Sequence, residues 1–370
     1  MTFIGVDLHT NRFTCCYRNG KLPTDGKDGK RIETFDLSPY GMVQFYKTLT
    51  KHTYVLLEAT ITTFCFVRLI QSRVKEVIVA NTYELKQISL GRNKTDKIDA
   101  DKLCRILKMQ VISGEKTISP VTVPPEHIQE LRGLFTTYRL LKKQSTQYKN
   151  RIHSLLKEKL HGFTQEQIFG KSSREMIRAM EKGSVLSFQL NHLFDLLENL
   201  EAGIAILEDK IKEQAEPYMR EIKILTSMKG VSVFIAIAII ADIVSVDRFK
   251  DSKSFTSYLR SAPRVESSNT TKGNKGTNKM GRKLSATLLT QILNHVLDGS
   301  QKLDNWYTKL TQYKKAGSVR TALRRRVFAE IYQMLKKGEY HYCRDAKKHE
   351  EKLLHYEKFL EKRKNLLKSA

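Results

Sequence analysis

The sequence predicts an α/β domain with a mixed sheet, followed by a helical rod and a mainly helical C-terminal part. Three observations carry this reading. Short β-rich runs alternate with helix signals over residues 1–115. Two stretches between positions 131 and 211 repeat apolar residues at a three-four spacing. Pro120, Pro124 and Pro125 separate the two patterns. The expected organisation is 1–125, an α/β domain; 126–217, a coiled-coil region; 218–340, a mainly α domain; and 341–370, a basic tail.

Within the first part, residues 3–7, 13–17 and 30–36 are β-rich and separated by turn chemistry, as an antiparallel meander requires. Residues 38–49 read as a helix with Ser38 as N-cap and Pro39 at its first position. An apolar strand at 54–58, a helix at 63–73, a strand at 76–80 and a helix at 95–107 complete the domain. In the rod, Leu131, Leu134, Tyr138, Leu141, Ser145, Tyr148, Ile152 and Leu155 form one heptad seam. Leu186, Leu190, Leu193, Leu197, Leu200, Ile204, Leu207 and Ile211 form a second, and the polar stretch 161–183 interrupts the rod. Such seams serve either a hairpin that packs on itself or a coiled coil joining protomers, and the expectation leans to the second. Beyond Pro217, a helix, a turn at Gly230 and a buried helix are expected, then a short helix at 255–261. A polar loop follows, with helices at 285–297 and 320–337 and, from His341, a weakly patterned charged tail that reads as an exposed helix or a partly disordered segment.

The chain has 370 residues, 65 Lys+Arg against 39 Asp+Glu, and a formal charge of +26. That balance points to a polyanionic partner, DNA or RNA. The longest apolar run, VFIAIAIIADIV, is too short to span a bilayer and contains Asp242. No signal-peptide pattern opens the sequence. Cys15, Cys16, Cys65, Cys104 and Cys343 show no zinc spacing. A reduced cytoplasmic protein with no membrane partner is expected.

Four carboxylates stand out. Asp7 ends the run FIGVD and Glu58 ends YVLLE, while Asp96 and Asp99 share one face of a helix in NKTDKIDADKL. Acids at strand ends and a helix start in a basic protein are a candidate site for two Mg²⁺ ions, with Mn²⁺ as a substitute, acting on a phosphodiester. Each acid alone reads more simply as a turn or helix-start residue. His9 and Asn11, beside Asp7, are placed to contact a scissile phosphate but read more simply as turn residues.

A second candidate lies in SAPRVESSNTTKGNKGTNKMGRKL. Ser267, Ser268, Thr270 and Thr271 offer hydroxyls, glycines 273, 276 and 281 permit close backbone approach, and Lys272, Lys275, Lys279, Arg282 and Lys283 can hold phosphates. From Arg248 to Lys283 there are ten Lys/Arg against two acids. Taken alone this is a basic loop gripping a backbone, because a serine without a visible base is rarely a nucleophile. Arg324, Arg325 and Arg326 fit a nucleic-acid face or a solvated one. Trp306, Tyr307 and Tyr313 fit base stacking or helix packing.

FIGVDLHTN, LLEAT and NKTDKIDADKL resemble the signature stretches of the DEDD transposases of insertion sequences. Their N-terminal domain is RuvC-like, on the RNase H-like fold. The stretch from LTSMKG to GRKLSATLL resembles their C-terminal domain, with a helix-hairpin-helix-like element around Gly230, then Phe249, Ala262–Pro263 and a serine about five residues on. That position falls on Ser268, with Ser267 as rival because Asn269 stands where glycine is usual. The resemblance implies metal-dependent strand cleavage and exchange by a serine through a 5′-phosphoserine intermediate. It implies element-end and target DNA and a noncoding guide RNA as partners, and a location near the nucleoid of a bacterium or archaeon. A serine served by metal-bound acids needs no histidine, and those acids can belong to another protomer of a dimer or tetramer held by the heptad seams. Two rivals follow from the same residues: a metal-dependent Holliday-junction-type endonuclease with water as nucleophile, and a non-catalytic nucleic-acid scaffold.

Overall fold

A computed structural model describes residues 1–20, 29–88, 95–159, 161–180, 183–268, 271–277 and 280–368; for 86–88, 165–166, 264–268, 271–276 and 367–368 it describes the backbone only. The chain forms two compact units, Met1–Pro124 and Pro125–Ala370.

In the first unit, β1 (Thr2–Leu8), β2 (Arg12–Asn19) and β3 (Arg31–Asp36) form the expected meander, with β1–β2 and β2–β3 antiparallel. Helix α1 (Pro39–Thr48) begins as predicted: Ser38 Oγ accepts from the Gly41 amide, and Pro39 fills the first turn, where a missing N–H costs nothing. Strands β4 (Thr53–Glu58) and β5 (Glu76–Ala80) flank α2 (Thr63–Ile70) and add in parallel, giving the mixed order β3-β2-β1-β4-β5. Helices α3 (Thr82–Ile88) and α4 (Asp96–Ser113) follow.

Strand alternation sorts the sheet into two buried faces. Ile4, Val6 and Leu8 of β1 join Val55 and Leu57 of β4 against Phe45, Phe66 and Val67. Phe3, Tyr54, Leu56 and Ile78 face the other way, against Ala100, Leu103, Cys104 and Leu107 of α4. The five-stranded sheet between helices is consistent with the RNase H-like expectation. Gly5 lies on the α4 face, where a Cβ would sit 2.2 Å from the Ala100 carbonyl oxygen and 2.3 Å from the Cys104 nitrogen. Only glycine lets α4 lie this close to β1.

In the second unit, α5 (Glu126–Glu158) and α8 (Val185–Gln214) carry the two heptad seams, and every seam residue is buried or half-buried. They run antiparallel: Lys149 pairs with Glu201 at 3.0 Å, and Leu141 lies against Gly203. The seams pack on each other within one chain, so the hairpin reading accounts for them without a second protomer. The polar stretch between them holds α6 (Gln165–Phe169) and α7 (Lys171–Ala179), whose Ile168 and Ile177 close the end of the hairpin core.

Helix α9 (Met219–Thr226) leads through Gly230, at φ +88°, into α10 (Val233–Ile243), capped by Ser232. A Cβ at Gly230 would lie 2.9 Å from His295 Cβ. Every residue of α10 from Ile235 onward is buried, as expected for a helix apolar on all sides. Around it pack α11 (Ser252–Tyr258), α12 (Leu284–Leu297), α13 (Gln301–Thr311), α14 (Ala316–Lys337) and α15 (Ala346–Lys368).

Two segments differ from expectation. The stretch read as a polar loop contains β6 (Pro263–Ser268) and β7 (Thr271–Thr277), an antiparallel ribbon. Two strands with no apolar face leave no hydrophobic period to detect. The charged tail, read as an exposed helix or a partly disordered segment, forms the helix α15, but it is docked and buries Leu353, Tyr356 and Leu360. Lys352 Nζ donates to the Thr226 and Val231 carbonyls. Three apolar anchors diluted by charges left too weak a stripe to read.

Candidate active site

Asp7 and Asp96 of the first unit meet at the end of its central strand, and Glu58 ends the strand beside it. Val6 of β1 pairs with Leu57 of β4, so Asp7 and Glu58 are the next residues on neighbouring parallel strands. Alternation puts both on the face that α4 covers. Thr95 caps α4 by accepting from the Ile98 amide, and Asp96 and Asp99 fill the first turn, where acids favour the positive end of the helix dipole. Close packing of α4 over Gly5 brings that turn to the end of β1.

Asp7 Oδ2 lies 3.2 Å from His9 Nε2, which is 3.4 Å from Asp96 Oδ1. Arg12 Nη2 donates to Asp96 Oδ2 at 3.2 Å. Ligand atoms of Asp7, His9 and Asp96 all fall within 4.8 Å of one another, a spacing one metal ion can span. Burial raises the Asp7 carboxyl above its ordinary pKa; His9 pulls it back, and the negative charges of Asp96 and Asp99 add to the rise. A donor set of two carboxylates and one imidazole at this spacing is one that a divalent cation can accept. Asp99 also pairs with Lys102 at 3.4 Å. Glu58 is half-buried, and among the described residues its carboxylate has no hydrogen-bond or ion-pair partner. Its own carbonyl accepts from Thr63 Oγ1, which fixes the chain leaving β4.

His9 and Arg12 were not singled out by the sequence as part of the acidic cluster. His9 does have a turn role, since its amide donates to the Arg12 carbonyl, but its ring also bridges two acids. The tight β1–β2 turn was the available signal, because it returns both residues to the sheet end that holds Asp7. Asp101, two residues past Asp99, goes elsewhere. Its carboxylate takes Arg18, at 2.6 Å, with Lys30 and Arg105, beneath the sheet.

In the second unit, Ser267 and Ser268 occupy the last two rungs of β6, opposite Lys272 and Thr271 of β7. Lys279 lies outside the described residues. The two ends of the ribbon are tied to the helical core. On entry, Arg260 takes a positive φ of 53°, its carbonyl accepts from Arg324 Nη2, and buried Ser261 Oγ accepts from Arg324 Nε. On exit, Gly281 has φ +94° and a Cβ there would lie 2.1 Å from the Tyr258 carbonyl. The next residue, Arg282, donates through its amide to that carbonyl and through Nε to Asp242.

Asp242 is fully buried and also accepts from the Ser285 amide and hydroxyl, at 2.9 and 2.7 Å. The basic residues therefore divide. Arg324 spends its donors on Arg260, Ser261 and Thr290. Arg282 is held by Asp242 yet remains part-exposed. Lys283 precedes α12 at its N-cap. Arg325 lines an open groove, and Arg326 lies over the Trp306 ring at 4.8 Å. Trp306 and Tyr307 pack partly into the core, while Tyr313 is exposed.

Among the described residues no helix is long and apolar enough to cross a membrane. Comparison with curated proteins gives no match. Two family models do match. Residues 4–160 match a transposase model of the DEDD, IS110 type, which spans the strands, α4 and their acids. Residues 222–307 match the model described as the transposase IS116/IS110/IS902 family, which spans α10, the serine ribbon and α12. Both halves of one enzyme family occur along the chain, which is therefore a DNA transposase of the IS110 family.

Proposed function

We propose that the chain cleaves and exchanges DNA strands with Ser268 as nucleophile, and that Asp7, Glu58, Asp96 and Asp99 hold the divalent ions, Mg²⁺ or in its place Mn²⁺. The observation that carries this is the meeting of Asp7 and Asp96 at the end of the central strand, with ligand atoms close enough for one cation. A divalent ion there supplies Lewis-acid stabilisation of charge on the phosphate. The serine does the covalent work: its Oγ forms a bond to phosphorus as the P–O3′ bond breaks. The hydroxyl proton is transferred in net to the departing 3′-oxygen, and a 5′-phosphoserine remains. Attack by the freed 3′-hydroxyl of another strand on that phosphoserine reverses the step and joins the strands. Positions 267 and 268 belong to opposite faces of a ribbon, so one hydroxyl rather than an interchangeable pair is expected to react.

The reading is tested by trapping a covalent protein–DNA adduct. Wild type and Ser267→Ala form it in Mg²⁺, whereas Ser268→Ala and Asp7→Ala do not. Cleavage without any adduct returns the assignment to a metal-dependent nuclease that uses water. The guide RNA and an oligomer with shared sites belong to the same proposal. A mixture of Asp7→Ala and Ser268→Ala chains that regains cleavage supports sharing. Co-purification of one discrete RNA species supports the guide.

A further inference from the structure

A groove of about 1050 Å³ opens in the second unit at the foot of the serine ribbon. Its wall includes Pro263 and Thr277, which pair with each other as the first rung of that ribbon. Lys253, Lys314, Lys315, Arg325 and Arg326 also line it, and among the described residues no acidic one does. Among the described residues, Lys253, Lys314, Lys315 and Arg325 have no carboxylate partner, whereas Arg326 in the same wall pairs with Glu330 at 3.8 Å. Trp306 lies in the same wall, with the Arg326 guanidinium over its ring.

Unpaired cations facing a common concavity repel one another and are stabilised by an anion that spans them. A single phosphate does not require so wide a slot. A small-molecule site would be more enclosed and would carry fewer charges. A duplex presents its phosphates on a convex surface and would reach only the rim. A single strand matches each feature, because its backbone follows a basic groove while its bases stack on aromatic rings.

We propose that this groove holds a single-stranded segment of nucleic acid, with phosphates on Lys253, Lys314, Lys315 and Arg325 and a base against Trp306. The shared chemistry is an unpaired phosphodiester strand, which DNA opened at the cleavage point or a loop of RNA can supply. The position of the groove beside the first rung of the ribbon favours the DNA strand that continues past the scissile phosphate. This inference concerns binding alone and does not depend on which atom attacks.

Trp306 is the only tryptophan in the chain, so its emission reports on this groove and on nothing else. Short single-stranded DNA and RNA oligonucleotides of equal sequence, and the corresponding DNA duplex, are titrated into the full chain. Fluorescence is read together with the anisotropy of a labelled strand. Saturable quenching by a single strand is expected, and the stronger quencher identifies the source. Lys314→Glu/Lys315→Glu/Arg325→Glu should weaken that binding at least about tenfold and lower the salt slope by about two, the share of three phosphate contacts on a single strand. Lys314→Gln/Lys315→Gln, at two exposed positions, repeats the measurement if the triple variant fails to fold. Binding by anisotropy with Trp306 emission unchanged overturns the proposal. So does quenching that both variants leave intact, or quenching by duplex alone. Loss of the phosphoserine adduct leaves these readouts unmoved, so the two proposals fail separately.

Discussion

Asp7 and Asp242 look alike in sequence, each an acid that follows an apolar run in a basic protein, and they have opposite fates. Asp242 is wholly buried, and its two oxygens accept from Arg282, the Ser285 amide and the Ser285 hydroxyl. Asp7 stands at the end of a central strand beside His9, its pKa raised first by burial and further by Asp96 and Asp99. A buried carboxylate is tolerated only where donors satisfy it. One acid fastens the exit of the serine ribbon to α10, while the other belongs to a cluster that can accept a cation. Strand-end or helix-end position does not separate the two. What separates them is the count of donors that the tertiary structure delivers.

The largest effect that can break this comparison is expected at Asp242. Asp242→Ala strands a part-buried Arg282 and two Ser285 donors, and should cost about 3–5 kcal/mol in chemical denaturation. Divalent-ion affinity should stay at the wild-type value. A loss of metal binding in this variant would mean that the two acids do not serve separate purposes. Gly5→Ala should cost about 3 kcal/mol, the upper end of overpacking, because the new Cβ meets backbone rather than a flexible side chain. Unlike Asp242→Ala it should also reduce metal affinity, since α4 must retreat from β1 and take Asp96 with it.

Asp7→Asn should leave metal-free melting at or slightly above wild type, because it removes a charge that burial, with Asp96 and Asp99, disfavours. It should also abolish the stabilisation of about 2.7 kcal/mol that an ion gives at a hundredfold excess over its Kd. Calorimetry with and without Mn²⁺ reads both. The smallest effect is expected at Glu201, a paired acid on the rod. Burial alone would raise its pKa, but the hydrogen bonds from Arg174 and Lys149 outweigh that and lower it. A lowered folded pKa contributes stability that is full above the ordinary glutamate value and lost as pH falls through the folded one. Glu201→Gln should remove that acid dependence and, discounted for solvent screening, cost at most about 1 kcal/mol at neutral pH.

The N-terminal unit was legible almost element by element. Alternation and turn chemistry in residues 3–36 announce a meander, Ser38–Pro39 announces a helix start, and buried strands at 54–58 and 76–80 are near-continuous apolar runs. The acids at their ends could be named for the same reason: strand ends are visible in sequence. The link from His9 to Asp96 was not legible, because that contact crosses from the end of β1 to α4, some 87 residues away. The ribbon at 263–277 was read as loop because its pairing is held by backbone hydrogen bonds, which leave no pattern of side-chain polarity. Arg324 and Arg325 are adjacent and chemically identical, yet one is spent on Arg260 and Ser261 and the other opens onto the groove.

By itself, then, the sequence determined most of the order of elements in the first unit and the polyanionic partner class, and it named the acids and the serine pair as candidates, because all of these reside in local pattern and charge. Only the tertiary structure decided that the two heptad seams bury each other, that the tail becomes a docked helix, that His9 joins Asp7 to Asp96, and that Asp242 is a fastener. Each of those outcomes depends on which distant groups arrive within hydrogen-bonding or van der Waals reach. Residues with the same chemistry and the same local context differ there because packing gives them different neighbours.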